Sequence, residues 1–130
     1  DVVNDVLGFL TERLATAGQA GIGRDRLLID PGFCFGKTLE HNLELFRAIE
    51  QFSRLDLPLL IGVSRKSMLG GITGRPVEQR LAASVSAALL AAQRGARILR
   101  VHDVAETRDA LAIWQALDPA LAENPHWTAK

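Results

Sequence analysis

Arg100 and His102 stand two residues apart at the end of the strand-like run Ile98-Leu99. Period-two alternation puts such residues on one face of a strand. A guanidinium offers a planar fork of donors suited to phosphate oxygens, and an imidazole can add another. Asp103 follows and opens a helix, whose free amides favour an anion nearby. The pair reads as a phosphate or diphosphate clamp. The competing reading pairs Arg100 with an acid and sets His102 against a backbone carbonyl.

Two further clusters end strand-like runs. Leu59-Leu60-Ile61-Gly62-Val63 leads into Ser64-Arg65-Lys66-Ser67. Its hydroxyls can cap the next turn. Lys66 can reach back over the strand end to hydrogen-bond a carbonyl or ring nitrogen, or to offset developing negative charge. A Schiff-base amine and a plain solvated basic loop are the alternatives. Leu27-Leu28-Ile29 leads into Asp30-Pro31-Gly32-Phe33-Cys34-Phe35-Gly36-Lys37. The Asp30 carboxylate can accept two N–H donors from a guanidine-like heterocycle edge, as in pterins and guanines, or can simply cap a turn. Of Phe33 and Phe35, one can pack inward while the other offers its ring to a planar ligand. Lys37 reads as a loop charge. Cys34 lacks the nearby base that a reactive thiol needs. His41 and His126 have no partners at metal-ligand spacing.

These clusters need elements to carry them. The order reads helix, strand, helix, strand, helix, strand, helix. Val2, Val3, Val6, Leu10 and Leu14 share a helical face over about Val2 to Ala17. Thr38 suits the N-cap of the next helix, where Leu39, Leu43, Phe46 and Ile49 follow helical spacing. Gly70 to Pro76 reads as a loop, and Pro76 suits the first turn of a helix reaching about Arg94, with Gly95 as its stop. Asp103 and Glu106 have capping-box spacing for the last helix. Residues 1–117 therefore read as βα units and 118–130 as a loose tail. Alternating strands and helices imply a parallel sheet with its ligand site at the strands' carboxyl ends.

Composition bounds the reading. The 130 residues carry 15 Lys+Arg and 15 Asp+Glu, so the formal net charge is zero. A general nucleic-acid binder would need a basic excess. The single cysteine cannot form an internal disulfide and suits a reducing compartment. The longest run of apolar and small residues, Leu81 to Ala92, falls short of the ~20 residues of a membrane span. A soluble cytoplasmic protein is expected. Asp1 is not an initiator methionine, and the opening helix suggests a piece of a longer protein or a processed form. Three βα units are about half of a (β/α)8 barrel, which typically needs ~250 residues. The alternative is a small open α/β domain that folds alone.

The Asp-Pro-Gly-Phe-x-Phe-Gly-Lys, Gly-x-Ser-Arg-Lys-Ser and Arg-Val-His-Asp runs, in this order and approximate spacing, resemble the C-terminal half of the dihydropteroate synthase family. The resemblance covers nearly all of residues 1–117. It implies the last three strands of a (β/α)8 TIM barrel with their helices, preceded by one more helix. It also implies condensation of 6-hydroxymethyl-7,8-dihydropterin pyrophosphate with 4-aminobenzoate, releasing pyrophosphate and forming dihydropteroate in folate biosynthesis. By resemblance, Asp30 holds the pterin's amino and ring N–H groups, and Lys66 contacts its carbonyl and ring nitrogen. Ser67 helps hold the aminobenzoate carboxylate, and Phe35 packs beside its ring. Gly62 belongs to the substrate-binding set, and Arg100 and His102 bind the leaving pyrophosphate. Magnesium is implied for the complete enzyme, with no ligand from this chain.

Two departures carry expectations of their own. Cys34 stands where the family usually has glycine, so its side chain is expected to narrow the pocket or change the loop. The family's N-terminal half, with its Asn-x-Thr-x-Asp-Ser-Phe loop, has no counterpart in these residues, so the chain alone is expected to be inactive. The resemblance implies a homo-oligomer through C-terminal helices, with the Ala/Ser-rich stretch Val77 to Arg94 as its surface. Competing readings are a methyltetrahydrofolate-dependent methyltransferase-like barrel and a non-catalytic, self-associating half-barrel. The Ser-Arg-Lys-Ser and Arg-Val-His-Asp runs favour the synthase, because a methyltransferase has no pyrophosphate to release.

Overall fold

Asp1 caps the first helix: its carboxylate accepts the N–H groups of Val3 and Asn4 at 3.0 and 3.2 Å. This helix, α1, spans Val2–Gln19. The structure, a computed structural model, describes residues 1–122. Helix α2 spans Leu39–Arg47 and α3 Ile49–Ser53, strand β1 covers Leu60–Ile61, and α4 spans Ser67–Thr73. They are followed by α5 at Leu81–Gln93, strand β2 at Ile98–Leu99, α6 at Val104–Leu117 and α7 at Pro119–Ala122.

The two strands pair in parallel, with Leu60 opposite Ile98 and Ile61 opposite Leu99. Ile29 forms a parallel bridge to Leu59, so the expected first strand survives as a single paired residue on the other side of β1. Its bonds are regular: Ile29 N–H donates to Pro58 O at 3.0 Å, and Leu60 N–H to Ile29 O at 2.8 Å. The three strand-like runs therefore lie side by side in sequence order, as consecutive parallel βα units require.

Alternation divides this sheet into unlike faces. Ile29, Leu59, Ile61 and Val63 are buried against the helices, together with Leu45, Ile49, Phe52, Met68 and Ala91. Each such large side chain contributes about 1.5–3 kcal/mol by leaving water. On the opposite face Leu28 and Ile98 remain 48% and 38% exposed. In a (β/α)8 barrel that face looks into the interior, where side chains from the other strands cover it.

Several sequence expectations change. The segment read as a loop from Gly70 to Pro76 begins inside α4. Its Met68 and Leu69 are buried, and that packing overrides the roughly 1 kcal/mol penalty of each helical glycine. The Arg80 guanidinium lies where a Cβ on Gly70 would stand, so a side chain there would have to displace that flexible head. Ala48 divides the second helix into α2 and α3. Part of the expected loose tail is α7, whose Leu121 is buried. His126 and Pro125 lie outside the described residues. Among the small residues of α5, Ser84, Ala87, Ala88, Ala91 and Ala92 are buried within the chain, whereas Ala82 and Ser86 are exposed. The buried ones permit close approach by neighbouring elements of this chain. No helix among the described residues is long and apolar enough to cross a membrane.

Thr38 caps α2 as expected. Its hydroxyl accepts the His41 N–H at 3.2 Å, and His41 Nδ1 accepts the Thr38 N–H at 3.4 Å, closing a reciprocal box. Thr38→Ala should cost about 1 kcal/mol in chemical denaturation, the usual scale for a lost cap. An unchanged midpoint would show that the box contributes nothing.

Candidate active site

The site is built where the three parallel runs end. Register places Gly62 opposite Arg100, one step beyond the Ile61–Leu99 pair. Alternation from Ile29 and from Leu60 then puts Asp30, Gly62 and Arg100 on the face that carries Leu28 and Ile98. That face is apolar where the strands begin and polar where they end. A Cβ on Gly62 would lie 3.4 Å from Arg100 Cβ, so the two residues are direct neighbours on this face.

The loop after Ile29 is held from below. Asp30 Oδ1 accepts the Gly32 N–H at 2.8 Å, which turns the chain and leaves Oδ2 without a partner among the described residues. Phe33 is 1% exposed and packs edge-to-face on Phe46, with ring centroids 5.9 Å apart. Phe35 is 75% exposed. One ring of the pair is therefore buried and the other exposed, as expected. Cys34 adopts φ +69°, a left-handed conformation that costs a residue with a side chain roughly 1–2 kcal/mol. Its side chain packs against the core, and the loop keeps the conformation that suits glycine. Asn42 secures this turn: its Oδ1 accepts the Cys34 N–H at 2.8 Å while its Nδ2 donates to Thr38 O at 2.8 Å.

The second cluster reaches back to the first. Lys66 Nζ donates to Phe33 O at 3.1 Å and stands 4.9 Å from the centroid of the Phe35 ring. A cation over an exposed ring is worth about 0.5–1 kcal/mol, enough to bias the position of both groups. Lys37 Nζ donates to Phe35 O at 3.4 Å. Lys66 is aimed by its neighbour. Arg65 has φ +59°, and every side of it is engaged. Its N–H donates to the Ser84 hydroxyl at 2.9 Å, its carbonyl accepts Arg80 Nη1 at 2.9 Å, and its guanidinium meets Asp103 with Nη2 to Oδ1 at 2.9 Å. The Arg65–Asp103 pair is partly exposed, so its contribution is geometric more than energetic. Ser67 is exposed at the start of α4 and makes no side-chain hydrogen bond with the described residues; it does not cap the turn.

The third cluster joins the second twice, through Asp103 and through His102. Asp103 holds the N-cap position of α6 but makes no capping bond, since its carboxylate is turned to Arg65; the expected box with Glu106 does not form. His102 is exposed, with Nδ1 2.9 Å from the buried Ser64 hydroxyl. It therefore meets a hydroxyl where a carbonyl was the alternative. Arg100 is exposed and makes no ion pair among the described residues. A cavity of about 370 Å³ opens beside the Arg65–Asp103 pair, lined also by Glu78 and Arg80. A second, of about 360 Å³, is apolar and lies between α2, α4 and α5, away from the strand ends. No group of three or more His, Cys, Asp or Glu side chains among the described residues could hold a metal ion.

Sequence reading missed the supports: Asn42, Arg80 and Ser84. Two had a signal, because Asn42 and Ser84 are polar residues at helical positions whose neighbours three or four along are apolar and buried.

A parallel βα architecture with donors, a carboxylate and an exposed ring gathered at its carboxyl edge is that of a small-molecule enzyme. Residues 1–102 match the family described as pterin binding enzyme, and the chain belongs to that family. It is similar to the dihydropteroate synthase of Haemophilus influenzae, at 48% identity over 116 residues, covering 89% of this chain and 42% of that protein. It is also similar to a solved dihydropteroate synthase from Stenotrophomonas maltophilia, at 56% identity and TM-score 0.90, covering 92% and 45% of the two chains. The Xanthomonas albilineans enzyme, solved in complex with 7,8-dihydropteroate, is 55% identical with TM-score 0.89, covering 90% and 45%. The chain thus spans under half the length of these relatives. The similarity to solved dihydropteroate synthases agrees with the barrel expected from the motifs.

Asn42→Leu strands the Cys34 N–H in a partly buried turn. It should cost about 1–3 kcal/mol of stability in chemical denaturation, the penalty for an unpaired buried donor. A neutral substitution would mean that water takes the bond.

Proposed function

We propose that the chain is the C-terminal part of a dihydropteroate synthase and supplies the diphosphate clamp and one wall of its pterin and aminobenzoate sites. The observation that carries this reading is the reach of Lys66 Nζ to the Phe33 carbonyl and the Phe35 ring, which draws the second motif onto the first. The His102–Ser64 and Arg65–Asp103 contacts draw the third onto the second. The likeness to synthase relatives over nine-tenths of the chain supports the same reaction over methyl transfer.

In this reading Asp30 takes the pterin's amino and ring N–H groups with its unengaged oxygen. Lys66 donates to the pterin carbonyl and ring nitrogen from its place above Phe35. The Phe35 ring packs beside the aminobenzoate, and Ser67, free of capping duty, receives its carboxylate. Gly62 lies beside the stem of Arg100, Arg100 reaches the diphosphate, and His102 adds a donor. The bond from the pterin methylene to the diphosphate oxygen breaks, and its electron pair leaves on oxygen, where Arg100 and His102 receive the charge. The methylene cation, stabilised by the electron-rich pterin, is attacked by the aniline lone pair, and the new C–N bond forms as that nitrogen loses a proton. No protein nucleophile is needed. Magnesium finds no fitting cluster in the described residues, and none of these steps passes through it. Cytoplasmic location and homo-oligomerisation belong to the proposal as well. The exposed Leu81 and Leu90 of α5, rather than its buried alanines, are the side chains that would meet a partner copy.

In the full-length protein bearing this sequence, Arg100→Ala should weaken pyrophosphate binding by ~1.5–3 kcal/mol in calorimetric titration, the scale of a charge-assisted bond. Unchanged affinity would refute the clamp. The 130-residue chain on its own should show little or no condensation of the two substrates. Turnover comparable to a complete synthase would contradict the half-site reading.

A further inference from the structure

Ser64 is 7% exposed, yet among the described residues its hydroxyl hydrogen-bonds to one residue alone, and does so twice. The His102 backbone N–H donates to Ser64 Oγ at 3.3 Å. The His102 ring nitrogen Nδ1 lies 2.9 Å from the same oxygen. A serine hydroxyl has one proton to give and two lone pairs to offer. The backbone amide can only donate, so it takes one lone pair. If Nδ1 also donated, the buried Ser64 proton would have no acceptor among the described residues, an unfavourable state for a buried donor. If instead Ser64 donates to Nδ1, every group is satisfied. The ring proton then sits on Nε2, the nitrogen not held by Ser64.

We propose that Ser64 is a positioning residue that sets the tautomer of His102, so that the neutral ring presents Nε2–H, a donor, to an oxyanion at the end of β2. The opposite tautomer would aim a lone pair at the anion and repel it. The bond from Oγ to the His102 amide also fixes the ring's own backbone, so one side chain determines both the direction and the proton placement of the donor. This inference rests on the diphosphate-clamp reading for its purpose but not for its geometry. Ser64 touches no substrate in this arrangement; it acts through His102.

The test uses full-length protein labelled with nitrogen-15 at histidine. In the wild type, the neutral ring of His102 should appear as the Nε2–H form alone. Ser64→Ala should let the Nδ1–H form appear and should weaken pyrophosphate binding by roughly three- to tenfold, the worth of one ordinary hydrogen bond. Ser64→Thr, which keeps the hydroxyl, should restore both readouts. An Nδ1–H ring in the wild type would overturn the proposal whether or not the alanine variant folds. So would an unchanged tautomer in a folded Ser64→Ala protein. If the tautomer shifts as stated while the wild type fails to bind pyrophosphate, the positioning role stands and the clamp reading falls. If pyrophosphate binds the wild type and Ser64→Ala equally well, the clamp stands and the positioning role falls.

Discussion

The peptide at Arg65 is the constraint on which the site depends. A strand that ended in ordinary extended backbone would carry Lys66 away from the preceding loop. The left-handed step at Arg65, φ +59°, turns the chain instead, and Lys66 comes to stand over Phe35. Such a conformation costs a non-glycine residue about 1–3 kcal/mol and persists only when the surroundings over-determine it. Here the amide is taken by Ser84, the carbonyl by Arg80 and the guanidinium by Asp103. Those partners come from α5, from the residue before it, and from the threshold of α6. Strain at one residue is thus offset by two helices, and the helices are in turn brought into line by it.

A second constraint comes from the sheet. Parallel pairing brings like ends together, so residues placed at the ends of separate strands become neighbours without any contact between their side chains. Asp30, Gly62 and Arg100 share a face for that reason. Their chemistry is complementary in kind: an acceptor for N–H edges, an absence of bulk, and a donor for oxyanions. The coupling between strands is carried mainly by Lys66, Ser64 and the Arg65–Asp103 pair, each of which crosses from one strand end to another.

Much of this was legible in the residues. Apolar runs with polar ends marked the three strand-like segments, Thr38 gave the cap of α2, and the Phe33–Phe35 spacing offered one inward and one outward ring. What was not legible had a common physical cause: long-range packing overrode local preference. Gly70 and Gly71 argue locally for a loop, yet α4 forms because Met68 and Leu69 are buried. Asp103 is locally an ideal cap for α6, but a guanidinium distant in sequence competes for its carboxylate and wins. The alanines of α5 resemble an interface because small residues permit close approach, and sequence alone does not say whose backbone approaches.

Cys34 shows how such competition resolves within a few atoms. A side chain at a position suited to glycine was expected to narrow the pocket or reshape the loop. In the structure the residue adopts φ +69°, its side chain packs against the core, and Asn42 ties down its amide. The cost of the conformation, about 1–2 kcal/mol, is of the same order as a net hydrogen bond plus a partly buried small side chain. Asn42 can supply that bond only because Thr38 O satisfies its other end, and it lies on the helix turn that the Thr38 cap begins. The tolerance of the loop for cysteine therefore depends on a helix start four residues downstream. The exposed ring of Phe35 inherits its place from that start, although no bond joins the two directly.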